Sequence, residues 1–237
     1  MLVWWSLRID IRSGGALALE RYEGPNRTEA GAHMPADDTP RVLLLDVMGT
    51  IIHDPFYEEI PAFFGMSMDD LLAVKHPTAW IEFEKGELDA GTYLDRFFAD
   101  GRELDRAGLM RVVREGYSLL PGMGPLLAEL KNLDVPMHAL SNYPIWYRLI
   151  EAELRLSRFI EWSFVSCDTR VRKPHPQSYL GPCAALGVLP EEALFVDDRV
   201  ANCAAAEAVG LRTVRFTDAP SLREALRALG LPLLRSA

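Results

Sequence analysis

Five short apolar runs most constrain how this chain can fold: Val42–Leu45, Val135–Leu140, Trp162–Val165, Ala193–Val196 and Arg212–Phe216. Each is bounded by turn residues. Uninterrupted apolar runs of this length suit strands buried on both faces, as in a parallel sheet. Helical patterns lie between them. Leu126–Leu133 has apolar residues at 126, 127, 130 and 133, and Ile145–Leu156 and Ser178–Leu186 follow. Ala201–Val209 is rich in alanine, with Gly210 placed to end it. Ser221-Leu-Arg-Glu224 reads as a capping box opening a last helix, which Gly230 closes. Alternating strands and helices at this spacing predict an α/β fold: an open, Rossmann-like parallel sheet with helices on both faces.

The alternation breaks once. Between His53 and about Leu119 there is no strand pattern. Ser67 and Asp70 are spaced to cap one helix, Thr78–Lys85 suggests another, and 90–117 reads as two more. An all-helical block over 53–119, inserted just after the first strand, predicts a small cap domain. Residues 41–52 and 120–237 then form the α/β core. Residues 1–40 differ in character. Leu2–Leu7 is too short for the apolar segment of a signal peptide, the mixed charges do not fit a transit peptide, and Gly31–Pro40 reads as a linker. A loosely ordered leader is expected there, with Met34 available as an alternative start.

Composition narrows the class. At 237 residues, 49% hydrophobic and 25% charged, the chain can bury a sizeable core. A net charge of −9 argues against a nucleic-acid partner. No apolar run approaches the roughly 20 residues that span a bilayer. The three cysteines, Cys167, Cys183 and Cys203, have no metal-binding spacing and read as reduced thiols. These features predict a cytoplasmic protein, monomer or homodimer, with a small-molecule partner.

In open parallel sheets, sites lie outside the carboxyl ends of the strands. The first run ends in Asp46, within Leu44-Leu45-Asp46-Val47-Met48-Gly49-Thr50. The second ends in Ser141-Asn142. Lys173-Pro174 follows the third, and the fourth ends in Asp197-Asp198. Singly, each could be a turn, a helix cap or a solvated charge. Together, at successive strand ends, they form a chemical set. Asp46, Asp197 and Asp198 are hard oxygen ligands suited to Mg²⁺. The cation and Lys173 would neutralise an anionic substrate and let the Asp46 carboxylate approach phosphorus. The Ser141 hydroxyl would hold a non-bridging oxygen, and Asp46 would form an acyl-phosphate that water cleaves.

In this order, Asp46 to Thr50, Ser141, Lys173 and Asp197-Asp198 resemble the four short motifs of the haloacid dehalogenase (HAD) superfamily. Trp80-Ile-Glu-Phe-Glu-Lys-Gly-Glu87 is similar to a stretch of that superfamily's helical caps. Val196-Asp-Asp-Arg-Val-Ala-Asn202 matches closely as well. The resemblance spans about Val42 to Phe216. It implies Asp46, Ser141 and Lys173 as catalytic residues, with Thr50 and Asn142 binding substrate. It also implies a Mg²⁺ site made by Asp46, Asp197, Asp198 and the backbone carbonyl of Met48. The implied activity is hydrolysis of a small phosphorylated metabolite.

One position departs from the pattern. The superfamily's phosphatases carry a second aspartate where this chain has Met48. A thioether cannot exchange a proton, and general acid–base help is worth about 10²–10⁴-fold. Several readings follow: a leaving group that needs no proton, or an acid relocated to His53, Asp54, Glu58, His76 or Glu82. A haloacid dehalogenase-like or phosphonate hydrolase is a third, and a non-catalytic binder of Mg²⁺ and phosphate a fourth. A phosphonate hydrolase would need a lysine from the cap, but Lys75 and Lys85 are expected to be surface charges. Phe56, Tyr57, Phe63, Phe64 and Trp80 give the helical block an aromatic character. Tyr143, Trp146 and Tyr147 are placed either to border a pocket or to pack a seam.

Overall fold

The computed structural model describes residues 39–234, so most of the expected leader lies outside the described residues. In chain order the elements begin with β1 (Val42–Leu45), α1 (Glu59–Phe64), α2 (Met68–Val74), α3 (Ala79–Glu84), α4 (Ala90–Asp95) and α5 (Arg106–Gly116). Then come α6 (Met123–Asn132), β2 (Met137–Ser141), α7 (Tyr147–Leu154), β3 (Glu161–Val165), α8 (Ser166–Thr169) and α9 (Gln177–Leu186). The chain closes with β4 (Ala193–Asp197), α10 (Val200–Glu207), β5 (Arg212–Arg215) and α11 (Ala219–Ala228). No helix among the described residues is long and apolar enough to cross a membrane.

All pairings in the sheet are parallel, and the strand order is β3-β2-β1-β4-β5. The chain builds outward from β1 through β2 to β3, then crosses back to β4 on the other side. The order therefore reverses beside β1, and a crevice opens at the carboxyl ends of β1 and β4. β1, β2 and β4 are buried along their whole length. β1 divides its side chains between two cores. Leu43 and Leu45 join the cluster that runs on into the inserted helices, while Val42 and Leu44 join Tyr179 and Phe195 on the opposite face.

Two local expectations need correction. β3 and β5 are not buried on both faces: Glu161 and Arg215 are exposed and their neighbours partly so. Both are edge strands, and charge there discourages further pairing. The last helix does not start at Ser221. It starts at Ala219, capped by Asp218, whose carboxylate accepts from the Ser221 N–H at 2.7 Å. Pro220 fits the first turn because the donor it lacks would be unused there. By contrast, Ser67 caps α2 as its spacing predicts: its Oγ accepts from the Asp70 N–H at 3.1 Å.

The block after β1 holds α1 to α5 and no strand. Its apolar contents are largely aromatic: Phe83 stacks on Tyr93 at 4.6 Å, and Phe64 touches Phe63, Phe97 and Phe98. Trp80 reaches across to Tyr143 and Trp146, which follow β2. Tyr143 and Trp146 are buried and pack the seam, and Tyr147 packs against Trp162.

Candidate active site

β1 delivers Asp46 directly into the crevice, with the Asp46 N–H bonded to the Val196 carbonyl at 2.9 Å. The chain then turns tightly, as the N–H groups of Ile51 and Ile52 both bond to the Val47 carbonyl at 2.9 Å. Gly49 sits at φ +76°, and a Cβ there would lie 3.1 Å from Asp198 Oδ2. Glycine therefore meets two needs at once, a left-handed backbone and a close approach to a carboxylate. The turn leaves Thr50 fully buried. The Met48 side chain packs against the apolar core.

β4 ends in Asp197, fully buried. Its carboxylate accepts from Asn202 Nδ2 at 3.0 and 3.1 Å and from the Arg199 N–H at 2.8 Å. Lys173 Nζ lies between the two strand ends, 2.7 Å from Asp46 Oδ1 and 2.6 Å from Asp197 Oδ2. Phe195 lies beneath it, the ring centroid 5.1 Å from Nζ. Asn142 holds Lys173 from the β2 side. Its Nδ2 donates to the Lys173 carbonyl at 2.8 Å, and its Oδ1 accepts the Lys173 N–H at 2.7 Å. Both ends of that amide serve to place the lysine.

The electrostatics follow from burial. Loss of water pushes the Asp46 carboxyl up to about 7; Lys173 pulls it back and Asp197 adds to the rise. Burial alone would lower the Lys173 ammonium, but the Asp46 and Asp197 carboxylates together hold it above its usual range. Burial and Asp197 raise Asp198.

Asp46, Asp197 and Asp198 each offer an oxygen within 4.8 Å of the others. Asp198 Oδ1 is buried without a hydrogen-bond partner among the described residues. An all-oxygen set with one uncommitted carboxylate atom fits a hard cation such as Mg²⁺. The hydroxyls of Ser141 and Thr50 are also buried without partners. A buried hydroxyl costs free energy unless something bonds to it, so these two mark a place for a polar ligand.

The residues suggested as substitute acids separate clearly. His76 accepts the Thr78 and Ala79 N–H groups, and Glu82 is tied to Thr78 and Arg96. His53 pairs with Glu59 at 2.9 Å, and Glu58 is exposed. Asp54 is different. It is partly buried, burial raises its pKa, and it feels the charges of both Arg199 and Asp198.

Several contributors lie in stretches that the sequence singles out, but their pairings do not show there. Arg199 donates to the Tyr57 hydroxyl at 2.9 Å, joining the β4 loop to the start of the inserted block. Arg172, beside Lys173, donates to Glu84 Oε2 at 2.9 and 3.2 Å, and Trp80 Nε1 donates to Glu84 Oε1 at 2.6 Å. Long-range pairing of this kind leaves no local pattern to read. The expectation that Lys75 is a surface charge is corrected: it is partly buried among aromatic rings. Lys85 does pair with Glu87 in a partly exposed position.

A family model described as haloacid dehalogenase-like hydrolase matches residues 40–210. The chain belongs to this family. Flavin mononucleotide hydrolase 1, a chloroplast protein of Arabidopsis thaliana, is 48% identical over 190 residues, covering 80% of this chain and 78% of that protein. Phosphoglycolate phosphatase 1 of Pseudomonas aeruginosa is 26% identical over 195 residues, covering 75% of this chain and 70% of that one. Among solved structures, a HAD-family enzyme of Bacteroides thetaiotaomicron in complex with magnesium and inorganic phosphate aligns with a TM-score of 0.60 at 18% identity. That alignment covers 76% of this chain and 95% of the other. A HAD-like family hydrolase of Porphyromonas gingivalis reaches 0.66 at 23% identity, covering 82% of this chain and 100% of the other. At such identities the likeness is one of fold.

Proposed function

We propose that this HAD-family hydrolase is a Mg²⁺-dependent phosphomonoesterase with Asp46 as nucleophile and flavin mononucleotide as its first candidate substrate. The observation that carries the reading is the cluster at the strand ends. One carboxylate is bridged to a second by Lys173, a third lies beside them, and two buried hydroxyls are free to take anion oxygens. The relative at 48% identity supplies the candidate substrate.

Asp46, Asp197, Asp198 and the Met48 carbonyl would hold the cation, which supplies positive charge to offset the phosphate and the nucleophile. An Asp46 oxygen attacks phosphorus, the ester P–O bond breaks, and the alcohol leaves with its electron pair. Water then attacks phosphorus, releasing inorganic phosphate and restoring the carboxylate. Lys173 and the Ser141 and Thr50 hydroxyls hold the non-bridging oxygens, while Asn142 keeps Lys173 in place. Flavin mononucleotide is a primary alkyl phosphate, so its leaving alkoxide needs a proton that Met48 cannot give. Asp54 is the candidate for that role: it is partly buried just beyond the β1 loop, burial raises its carboxyl, and its charge interacts with that of Asp198. The helices over 53–119 act as a cap that excludes water.

Phosphate release from flavin mononucleotide and from p-nitrophenyl phosphate, with and without Mg²⁺, tests the reading. The wild type should turn over both only with the metal, and Asp46→Asn should abolish turnover of both. Undiminished activity in Asp46→Asn, or no phosphate release from any phosphomonoester, would overturn it.

A further inference from the structure

Lys75 is an anomaly in the inserted helices. It follows α2 and forms an isolated antiparallel bridge with Phe98. Its ammonium stands 5.8 Å from the ring centroid of Phe56, 5.5 Å from Trp80, 5.7 Å from Tyr93 and 5.6 Å from Phe97. It makes no ion pair among the described residues. The opposing charge that acts on it is that of Glu84, and both oxygens of that carboxylate are already engaged, one by Trp80 and the other by Arg172. Burial accordingly pushes the Lys75 ammonium down to about 8, with Glu84 recovering only part of the loss.

Aromatic faces attract the positive charge but are poor acceptors for three N–H groups. The cage is also lopsided. Tyr93 and Phe97 are buried, whereas Phe56 and Trp80 are partly exposed. Both of these partly exposed rings are tied to segments that carry candidate site residues. Trp80 packs on Tyr143, two residues beyond Ser141, and Phe56 follows Asp54 closely, its N–H bonded to the Asp54 carboxylate at 3.0 Å. Two ring walls and a cation with spare donors are chemically suited to a flat, conjugated group that carries hydrogen-bond acceptors.

Resting on the phosphatase reading, we propose that Lys75, flanked by Phe56 and Trp80, sets leaving-group specificity. It donates to a carbonyl oxygen or ring nitrogen of a planar heterocycle lying against those two rings. The ligand class is a conjugated heterocycle joined to the phosphate by a flexible polyol or sugar chain, as in a flavin or a nucleotide.

Riboflavin binding, followed by quenching of its fluorescence, tests the subsite without any turnover. The wild-type protein should quench it, and Lys75→Met should weaken binding by roughly tenfold, the worth of one charge-assisted hydrogen bond. Lys75→Arg should restore part of it, since a cationic donor remains. In parallel, the ratio of kcat/KM for flavin mononucleotide to that for p-nitrophenyl phosphate should fall by a similar factor in Lys75→Met. No quenching by the wild type, equal binding by Lys75→Met, or an unchanged ratio would overturn the proposal. Flavin binding that depends on Lys75, with no phosphate release from any phosphomonoester, would sink the phosphatase reading and leave the subsite standing.

Discussion

Lys173 and Lys75 are both withdrawn from water, yet their surroundings are opposite. In the crevice, Lys173 lies between two carboxylates and its charge is held. In the inserted helices, Lys75 lies among four rings with no ion-pair partner among the described residues, and its charge is weakened. A buried cation is tolerable where ionised partners surround it, and costly where only apolar groups do. The first arrangement helps hold the fold together around the site. The second opposes stability and therefore points to use by a ligand.

The largest effect should come from breaking the paired side. Lys173→Met leaves Asp46 and Asp197 buried without their cation. The variant should lose about 3–5 kcal/mol of stability, as expected when one partner of a buried pair is removed. Urea denaturation reads this directly, and an unchanged midpoint would show that the crevice does not depend on the pair.

Asp54 lies between the two regions, on the stretch leading from the β1 loop into the helices. Asp54→Asn should slow flavin mononucleotide hydrolysis by about 10²-fold, with a smaller loss on p-nitrophenyl phosphate, whose leaving group needs little protonation. Adding Met48→Asp should return part of the lost rate by placing an acid in the β1 loop. Equal losses on both substrates would assign Asp54 a purely structural role.

The unpaired side gives a smaller effect of opposite sign. Lys75→Met should raise stability by roughly 1–2 kcal/mol near neutral pH, after allowing for partial exposure and the lost ring contacts. The pKa is lowered in the folded state, so the cost of Lys75 is complete below about pH 8, where both folded and unfolded chains carry the proton. Between there and the ordinary lysine value of about 10.4, only the folded chain sheds it, and the cost fades. The gain in Tm from Lys75→Met should therefore be largest below pH 8 and shrink toward pH 10. A variant less stable than the wild type at neutral pH would contradict this account.

The smallest effect concerns the link between the regions. Tyr57→Phe removes the acceptor for Arg199. Both side chains are largely exposed, so stability should change by no more than about 1 kcal/mol. KM for flavin mononucleotide should move more than Tm, because the contact joins the β4 loop to the inserted block.

Much of the core was legible beforehand. β1 and β4 announce themselves because burial on both faces demands unbroken apolar runs, and Asp46 and Asp197-Asp198 stand where those runs stop. The edge strands were harder, because β3 and β5 carry charges that suit a sheet margin. Asp218 is hard to read as the cap because Ser221 offers a competing local pattern. The inserted helices were visible as helices, but Lys75 read as a solvated charge: nothing adjacent in sequence shows that Phe56, Trp80, Tyr93 and Phe97 converge on it.

The sequence by itself determined which residues could do chemistry and on which strand ends they stand, since apolar runs and turn residues are local properties. Only the tertiary structure decided which of them meet. Lys173 reaches Asp46 across 127 positions and Asn142 reaches Lys173 across 31. Parallel strands paired in the order β3-β2-β1-β4-β5 bring such distant carboxyl ends to one side of the sheet, and burial there turns ordinary side chains into a coupled set of charges.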